Sequence, residues 1–276
     1  MLANAGKMRD NLSLMEIIIQ PTVIEASKLA AAAIARAVKA KPNAVLGLAT
    51  GNTPLMLYKE LIRLHREEGL DFSQVRTFNL DEYCGLAPDD RNSYRFFMNE
   101  NFFKHVNIDL ANTHVPDGLV KGADIPRHCS EFEDRIRAVG GLDIQLLGIG
   151  VNGHIGFNEP GSSLASRTRL KTLTVATRNV NAPNFASLDE MPFHALTMGI
   201  ATIMDARQVF LLAFGESKAE VVAGAVEGAI TASNPASILQ MHPATTMFLD
   251  TAAASRLTRC DYYNWIYANK PDWKNL

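Results

Sequence analysis

NAVLGLATGNTPLMLYKELIRLHREEG, residues 43–69, passes from an apolar run through a glycine turn into an amphipathic helix. NAVLGLAT (43–50) reads as a short buried strand because Val and Leu dominate it and a glycine turn follows. Gly51, Asn52, Thr53 and Pro54 then favour a tight turn, with Thr53 suited to cap a helix and Pro54 to open it. Beyond the turn, Leu55, Tyr58, Leu61, Ile62 and His65 share one helical face. Strand, glycine turn and helix in this order form the repeating unit of a parallel α/β sheet.

The same alternation extends in both directions. An Ala-rich helix over 24–40 precedes the quoted stretch, and VRTFNL (75–80) is the next strand, ending in Asp81-Glu82-Tyr83. YRFFMNENFFKHV (94–106) reads as a helix, as does 126–139, and LDIQLLGIG (142–150) as a strand. Residues 191–206 (MPFHALTMGIATIMDA) read as helical, 208–215 as a strand, 217–229 as a helix and 244–250 as a last strand. No repeat, low-complexity tract or linker interrupts the chain, so residues 1–276 are expected to form one domain. The expected fold is a doubly wound, mostly parallel α/β sheet with helices on both faces, Rossmann-like in plan.

Composition narrows the function classes. A formal net charge of −2 with scattered basic residues argues against a nucleic-acid partner, and the absence of an 18-residue apolar run argues against a membrane span. The three cysteines, Cys84, Cys129 and Cys260, are far apart and lack CxxC spacing, which fits reduced thiols and a cytoplasmic location. MLANAGKMRDNLSLMEIII lacks the pattern of a signal peptide.

In a doubly wound sheet, ligands bind beyond the carboxyl ends of the strands, and several polar clusters fall there. Thr50, Gly51, Asn52 and Thr53 offer backbone N–H groups at a helix start, suited to an anion such as a phosphate. The turn is neither a Walker A loop nor a GxGxxG fingerprint, so a nucleotide is disfavoured. Lys218, near the start of a later helix, can add a positive charge, with a solvated surface lysine as an equal alternative. Asp81 and Glu82 are adjacent on an extended backbone and point to opposite faces, so only one can easily face a pocket as a base, with a helix-capping or salt-bridged acid as the equal alternative. IGVNGHIGFNEPGSS (149–163) places Asn152, His154 and Glu159 among glycines that permit close approach to a ligand. A carboxylate near an imidazole fixes its tautomer and raises its basicity. A third ligand at metal-binding spacing is missing, so no metal is expected.

Taken together, GLATGNTP, FNLDEY, LGIGVNGHIGFNEPGSSLASRTR, SKAEVVAGAVEG and LQMHP resemble the glucosamine-6-phosphate deaminase family, in the family's order, across residues 43–250. The resemblance implies a cofactor-free isomerisation and deamination of an amino-sugar 6-phosphate, giving fructose 6-phosphate and ammonia, in a homo-oligomer that is often a hexamer. It implies that Asp81 moves a proton from C2 to C1, that His154 and its partner Glu159 open the sugar ring, and that residues 50–53 and Lys218 hold the phosphate. Ser162, Arg169, Lys171 and Tyr262 fall where regulated members bind an activating N-acetylated sugar phosphate; for Arg169 and Lys171 an ordinary basic surface is the competing reading.

Two positions depart from the family pattern. Asn152 stands where the best-known members have Asp, and an amide cannot take up a proton as a carboxylate does. NVNAPNF (179–185) lacks the arginine that grips phosphate in the family. Two alternatives follow: a 6-phosphogluconolactonase-like hydrolase, in which Glu159 has no counterpart, or a catalytically weak sugar-phosphate sensor.

Overall fold

The computed structural model describes residues 15–182, 185, 187 and 189–271. Seven strands form one parallel sheet: β1 (Glu16–Gln20), β2 (Val45–Leu48), β3 (Arg76–Asn79), β5 (Thr113–His114), β6 (Ile144–Gly148), β9 (Gln208–Ala213) and β10 (Thr245–Asp250). Their spatial order is β1-β10-β9-β6-β2-β3-β5, with every pairing parallel.

The side-chain alternation of the central strands builds a core on each face. Leu46 and Leu48 of β2, Phe210 and Leu212 of β9 and Phe248 of β10 pack with helices α1 (Val23–Ala40), α2 (Leu55–Glu68) and α3 (Tyr94–Asn101). Val45, Leu211, Met247 and Leu249 face the other way, onto α4 (Asp124–Ala138), α6 (Ile200–Met204) and α7 (Ala219–Val226). This is the doubly wound arrangement that the strand-helix alternation implies. No described helix is long and apolar enough to cross a membrane.

The order of the strands fixes where a ligand site forms. From β2 the chain moves outward through β3 to β5, then returns to lay β6 on the other side of β2 and continues outward through β9 to β10. The direction of winding therefore reverses between β2 and β6. Loops leaving the carboxyl ends of two such strands diverge and leave a crevice between them.

A second, three-stranded antiparallel sheet of order β4-β8-β7 stands apart from the first: β4 (Asp81–Tyr83), β7 (Arg169–Thr172) and β8 (His194–Thr197). Here the structure corrects the reading of 191–206 as one helix. Residues 194–197 are extended, paired with Asp81–Tyr83 on one side and Arg169–Thr172 on the other, and only Ile200–Met204 is helical. Pro192 and Gly199 bracket this short strand, and an apolar run of that length does not by itself separate strand from helix. Smaller corrections follow from local geometry. Helix α3 ends at Asn101 rather than 106, and α7 covers 219–226 rather than 217–229. Thr53 does not cap α2: the chain turns at Gly51 (φ +86°), Pro54 takes the cap position, and no side chain bonds the helix start.

The outermost parallel strand, β1, pairs with β10 in the register Glu16↔Thr246 to Gln20↔Asp250. Helix α8 (Cys260–Ala268) packs on β1, and Lys270 Nζ lies 2.6 Å from Glu16 Oε1. Residues far apart in sequence are thereby tied at one sheet edge.

Candidate active site

A cleft of about 260 Å³ opens at the switch point. It is lined by Thr50–Thr53 after β2, Asp81 after β3, Gly148–Asn152 and His154 after β6, and Lys218 after β9. The polar clusters placed at strand ends from sequence therefore meet in one place.

Backbone geometry prepares the turn at 50–53. Tyr58, fully buried on α2, donates its hydroxyl to the Ala49 carbonyl at 2.6 Å and locks the helix start onto the end of β2. The first turn of α2 has no side-chain cap, so its N–H groups beyond that of Leu55, which donates to the Asn52 carbonyl at 3.4 Å, remain to bind an anion, which the helix dipole also favours. Lys218 is the one Lys or Arg among the described lining residues, and its pKa is lowered by burial. Arg178 is engaged elsewhere: its guanidinium donates to the Met191 carbonyl at 3.0 Å and lies 3.7 Å from the Phe193 ring centroid. Pro183 and Asn184, where the family's arginine would fall, lie outside the described residues.

Asp81 and Glu82 divide their tasks as their opposite faces imply. Glu82 Oε1 accepts from the backbone N–H of Tyr83 (2.8 Å) and Tyr94 (2.9 Å), and Oε2 from that of Arg95 (3.0 Å). Glu82 therefore holds the start of α3, although burial pushes its pKa up to about 7 against those three donors. Asp81 faces the cleft. Burial, with a smaller contribution from the neighbouring Glu82 charge, raises its pKa to about 8. A carboxyl tuned near the working pH is matched to proton transfer at carbon.

The histidine loop forms a connected relay. His154 Nδ1 lies 2.7 Å from Asn152 Oδ1, and Asn152 Nδ2 donates to Glu159 Oε2 at 2.7 Å. The direct His154 Nδ1 to Glu159 Oε2 separation is longer, 3.5 Å. Burial disfavours the Glu159 charge, but hydrogen bonds with His154, Thr177 and Asn152 outweigh it and hold the pKa at about 2. An ionised carboxylate only accepts hydrogen bonds, so the Asn152 amide must turn its NH₂ to Glu159 and its oxygen to His154. That orientation places the histidine proton on Nδ1 and leaves Nε2 with a lone pair. Gly150 makes room for the ring: a Cβ built there would lie 2.2 Å from His154 Cε1. Loop and base are neighbours, since a Cβ built on Gly156 would sit 3.5 Å from Asp81 Oδ2.

The four residues assigned to regulation lie on the loop after the relay, on β7 and on α8. Arg169 and Lys171 are two apart on β7, where the Arg169 guanidinium donates to Asn158 Oδ1 at 2.9 Å. Ser162 is buried with its hydroxyl unpartnered, and Tyr262 is exposed on α8. Two polar lining residues, Tyr94 and Thr177, were missed in the sequence. Their signals were helix caps: Ser93 accepts from the Phe96 N–H and Thr174 from the Thr177 N–H, which sets Tyr94 and Thr177 in the first turns of α3 and of α5 (Val175–Asn181).

Known proteins bear on the same residues. A family model described as glucosamine-6-phosphate isomerases/6-phosphogluconolactonase matches residues 20–248. A glucosamine-6-phosphate deaminase of Arthrobacter sp. (strain FB24) is 53% identical over 95% of this chain and 100% of its own length. That of Mycolicibacterium smegmatis is 50% identical over the same shares, 95% and 100%. A solved structure described as a monomeric glucosamine-6-phosphate deaminase is similar with a TM-score of 0.85 and 48% identity, covering 88% of this chain and 100% of that one. A 6-phosphogluconolactonase from Trypanosoma cruzi, at 23% identity and a TM-score of 0.70 over 89% and 98% of the two chains, shares the fold alone. The chain belongs to the family of glucosamine-6-phosphate isomerases and 6-phosphogluconolactonases.

Proposed function

We propose that the chain converts glucosamine 6-phosphate and water into fructose 6-phosphate and ammonia. The observation that carries this reading is the meeting, in one cleft, of a buried carboxyl, a histidine relay and an anion-binding turn with a lysine. The chemistry divides among them. His154 Nε2 takes the proton of the O1 hydroxyl and returns it to the ring oxygen, which opens the pyranose. Asp81 removes the C2 proton from the open aldehyde and delivers it to C1, while one proton of the amine passes to O1, leaving a hydroxymethyl group at C1 and an imine at C2. Water adds to that imine and the nitrogen departs as ammonia. A lactonase needs water activated at a carbonyl and no base for a carbon acid; the relatives of 50–53% identity named glucosamine-6-phosphate deaminase favour the isomerising reaction.

Ammonia release from glucosamine 6-phosphate by the purified protein tests the proposal. Release of ammonia supports it; hydrolysis of 6-phosphogluconolactone without ammonia release would replace it with the hydrolase reading, and binding without turnover with the sensor reading.

Phosphate is gripped far from the reacting carbons, equally in ground and transition states, so its loss should appear in KM. Lys218→Ala removes one charge-assisted contact of about 1.5–3 kcal/mol and should raise KM by roughly 10–100-fold with little change in kcat. A wild-type KM in that variant would take Lys218 out of the phosphate site.

The family resemblance supports a homo-oligomer in the cytoplasm. The cleft nevertheless draws its base, its relay and its lysine from one chain, and the 48% identical structure is described as monomeric. Both points support catalysis within one chain, and sedimentation of the purified protein decides its state.

A further inference from the structure

Thr177 reaches the relay from outside the glycine-rich loop. Its hydroxyl donates to Glu159 Oε1, while Glu159 Oε2 is taken by Asn152. The direction of that bond is fixed by its neighbours. Thr174, the cap of α5, donates its own hydroxyl to Thr177 Oγ1 at 3.1 Å, and a hydroxyl has a single proton to give. The proton of Thr177 therefore points at the carboxylate. Oε1 is thus held by Thr177 and Oε2 by Asn152, with His154 Nδ1 at the longer distance of 3.5 Å from Oε2.

We infer that Thr177 is a positioning residue of this relay: by holding Glu159 Oε1 it keeps Oε2 on Asn152, and so determines which nitrogen of His154 faces the substrate. The inference rests on the deaminase reading for its kinetics, not for its geometry. Without the hydroxyl, the Glu159 carboxyl has one firm donor instead of two and is 3.5 Å from His154 Nδ1, close enough to rotate toward it. Rotation releases Asn152 Nδ2, and a released amide presents either its oxygen or its nitrogen to the imidazole. The histidine then samples both neutral tautomers, and part of the population carries its proton on Nε2, where it cannot act as a base. Thr177 is buried and its helix begins at Thr174, so the folding of α5 and the state of the histidine are coupled through two hydroxyl groups.

The experiment compares wild type, Thr177→Val and Thr177→Ser in the full chain. Valine keeps the shape and removes the donor; serine restores the donor. Thr177→Val should lower kcat on glucosamine 6-phosphate about 10–100-fold with KM within about 3-fold, and Thr177→Ser should recover most of the loss. The ¹⁵N resonances of the His154 ring, assigned by their loss in His154→Gln, should show a single Nδ1–H tautomer in wild type and values drawn toward the average in Thr177→Val. Unchanged ring resonances in Thr177→Val overturn the inference, including when kcat falls together with thermal stability, since Thr177 would then serve the fold alone. If wild type releases no ammonia, the functional proposal fails, while the tautomer comparison still decides the part played by Thr177.

Discussion

Asp81→Asn should lower kcat by about 10²–10⁴-fold while making the protein more stable at neutral pH. The first effect follows from its task, because an amide cannot accept the C2 proton. The second follows from burial. The pKa of Asp81 in the folded chain is about 8, above the value of about 4 expected when unfolded. Folding is therefore favoured by protonation: the contribution is intact below about pH 4 and is lost as pH rises toward 8. Asparagine is neutral throughout and escapes the loss, so the variant should gain about 1–3 kcal/mol at pH 7, or roughly 2–4 °C in Tm per kcal/mol. Thermal melts of both proteins from pH 4 to 8 check the sign, with the curves converging at the acid end. In the active wild type, kcat/KM should climb with pH until near 8 as the base ionises. Near-normal turnover in the variant would remove Asp81 from the mechanism, and coincident melts at pH 7 would show that its carboxyl is not strained by burial.

Glu159→Gln should cost about 10²–10³-fold in kcat with the opposite stability trend. Two donors, from Asn152 and Thr177, converge on the two oxygens of Glu159. Glutamine offers one oxygen and one NH₂, so one donor meets another donor in a buried site, at a cost of about 1–3 kcal/mol. Relief comes if Asn152 flips, and a flipped amide turns its NH₂ toward His154 Nδ1 and moves the histidine proton to Nε2. The base is then lost. Here the pH dependence reverses, because the Glu159 pKa is depressed to about 2. Its stabilisation is present above about pH 4 and disappears as the pH falls toward 2, so the wild-type advantage should shrink in acid. Full activity in Glu159→Gln, with an unaltered pH profile of kcat/KM, would show that the acid and the histidine are not coupled.

The parallel sheet and its strand-end clusters were legible because each apolar run stops at glycine or at a polar group, as at Thr50-Gly51 and Gly150. The second sheet was not. Its strand β4 has three residues, and β7 is the half-exposed stretch RLKT, so neither shows a buried run; β8 lies in apolar sequence that also fits a helix. Pairing partners distant in sequence, such as Asp81 with Thr197, decide those conformations. The same holds for the site. Asp81, His154 and Glu159 announce themselves by residue type, whereas Tyr94 and Thr177 matter only because capped helices bring them to the cleft. Asn152 showed in the sequence only as an amide in place of an acid; its amide lies between Glu159 and His154, donating to one and facing the other with its oxygen.

The edge of the sheet has a consequence for how the molecule is made. Strand β1 has no partner until β10 exists, and the Glu16–Lys270 pair spans a sequence separation of 254. During synthesis, the backbone edge of β1 must therefore wait, unpaired, for nearly the whole chain to emerge from the ribosome. At rates of about 5–20 residues per second, that delay is on the order of tens of seconds. Non-local parallel pairing of this kind is also slow in refolding, because loop closure precedes any gain from contact. An arrested nascent chain ending before residue 245 should thus leave β1 open to protease, and one that includes β10 and α8 should protect it.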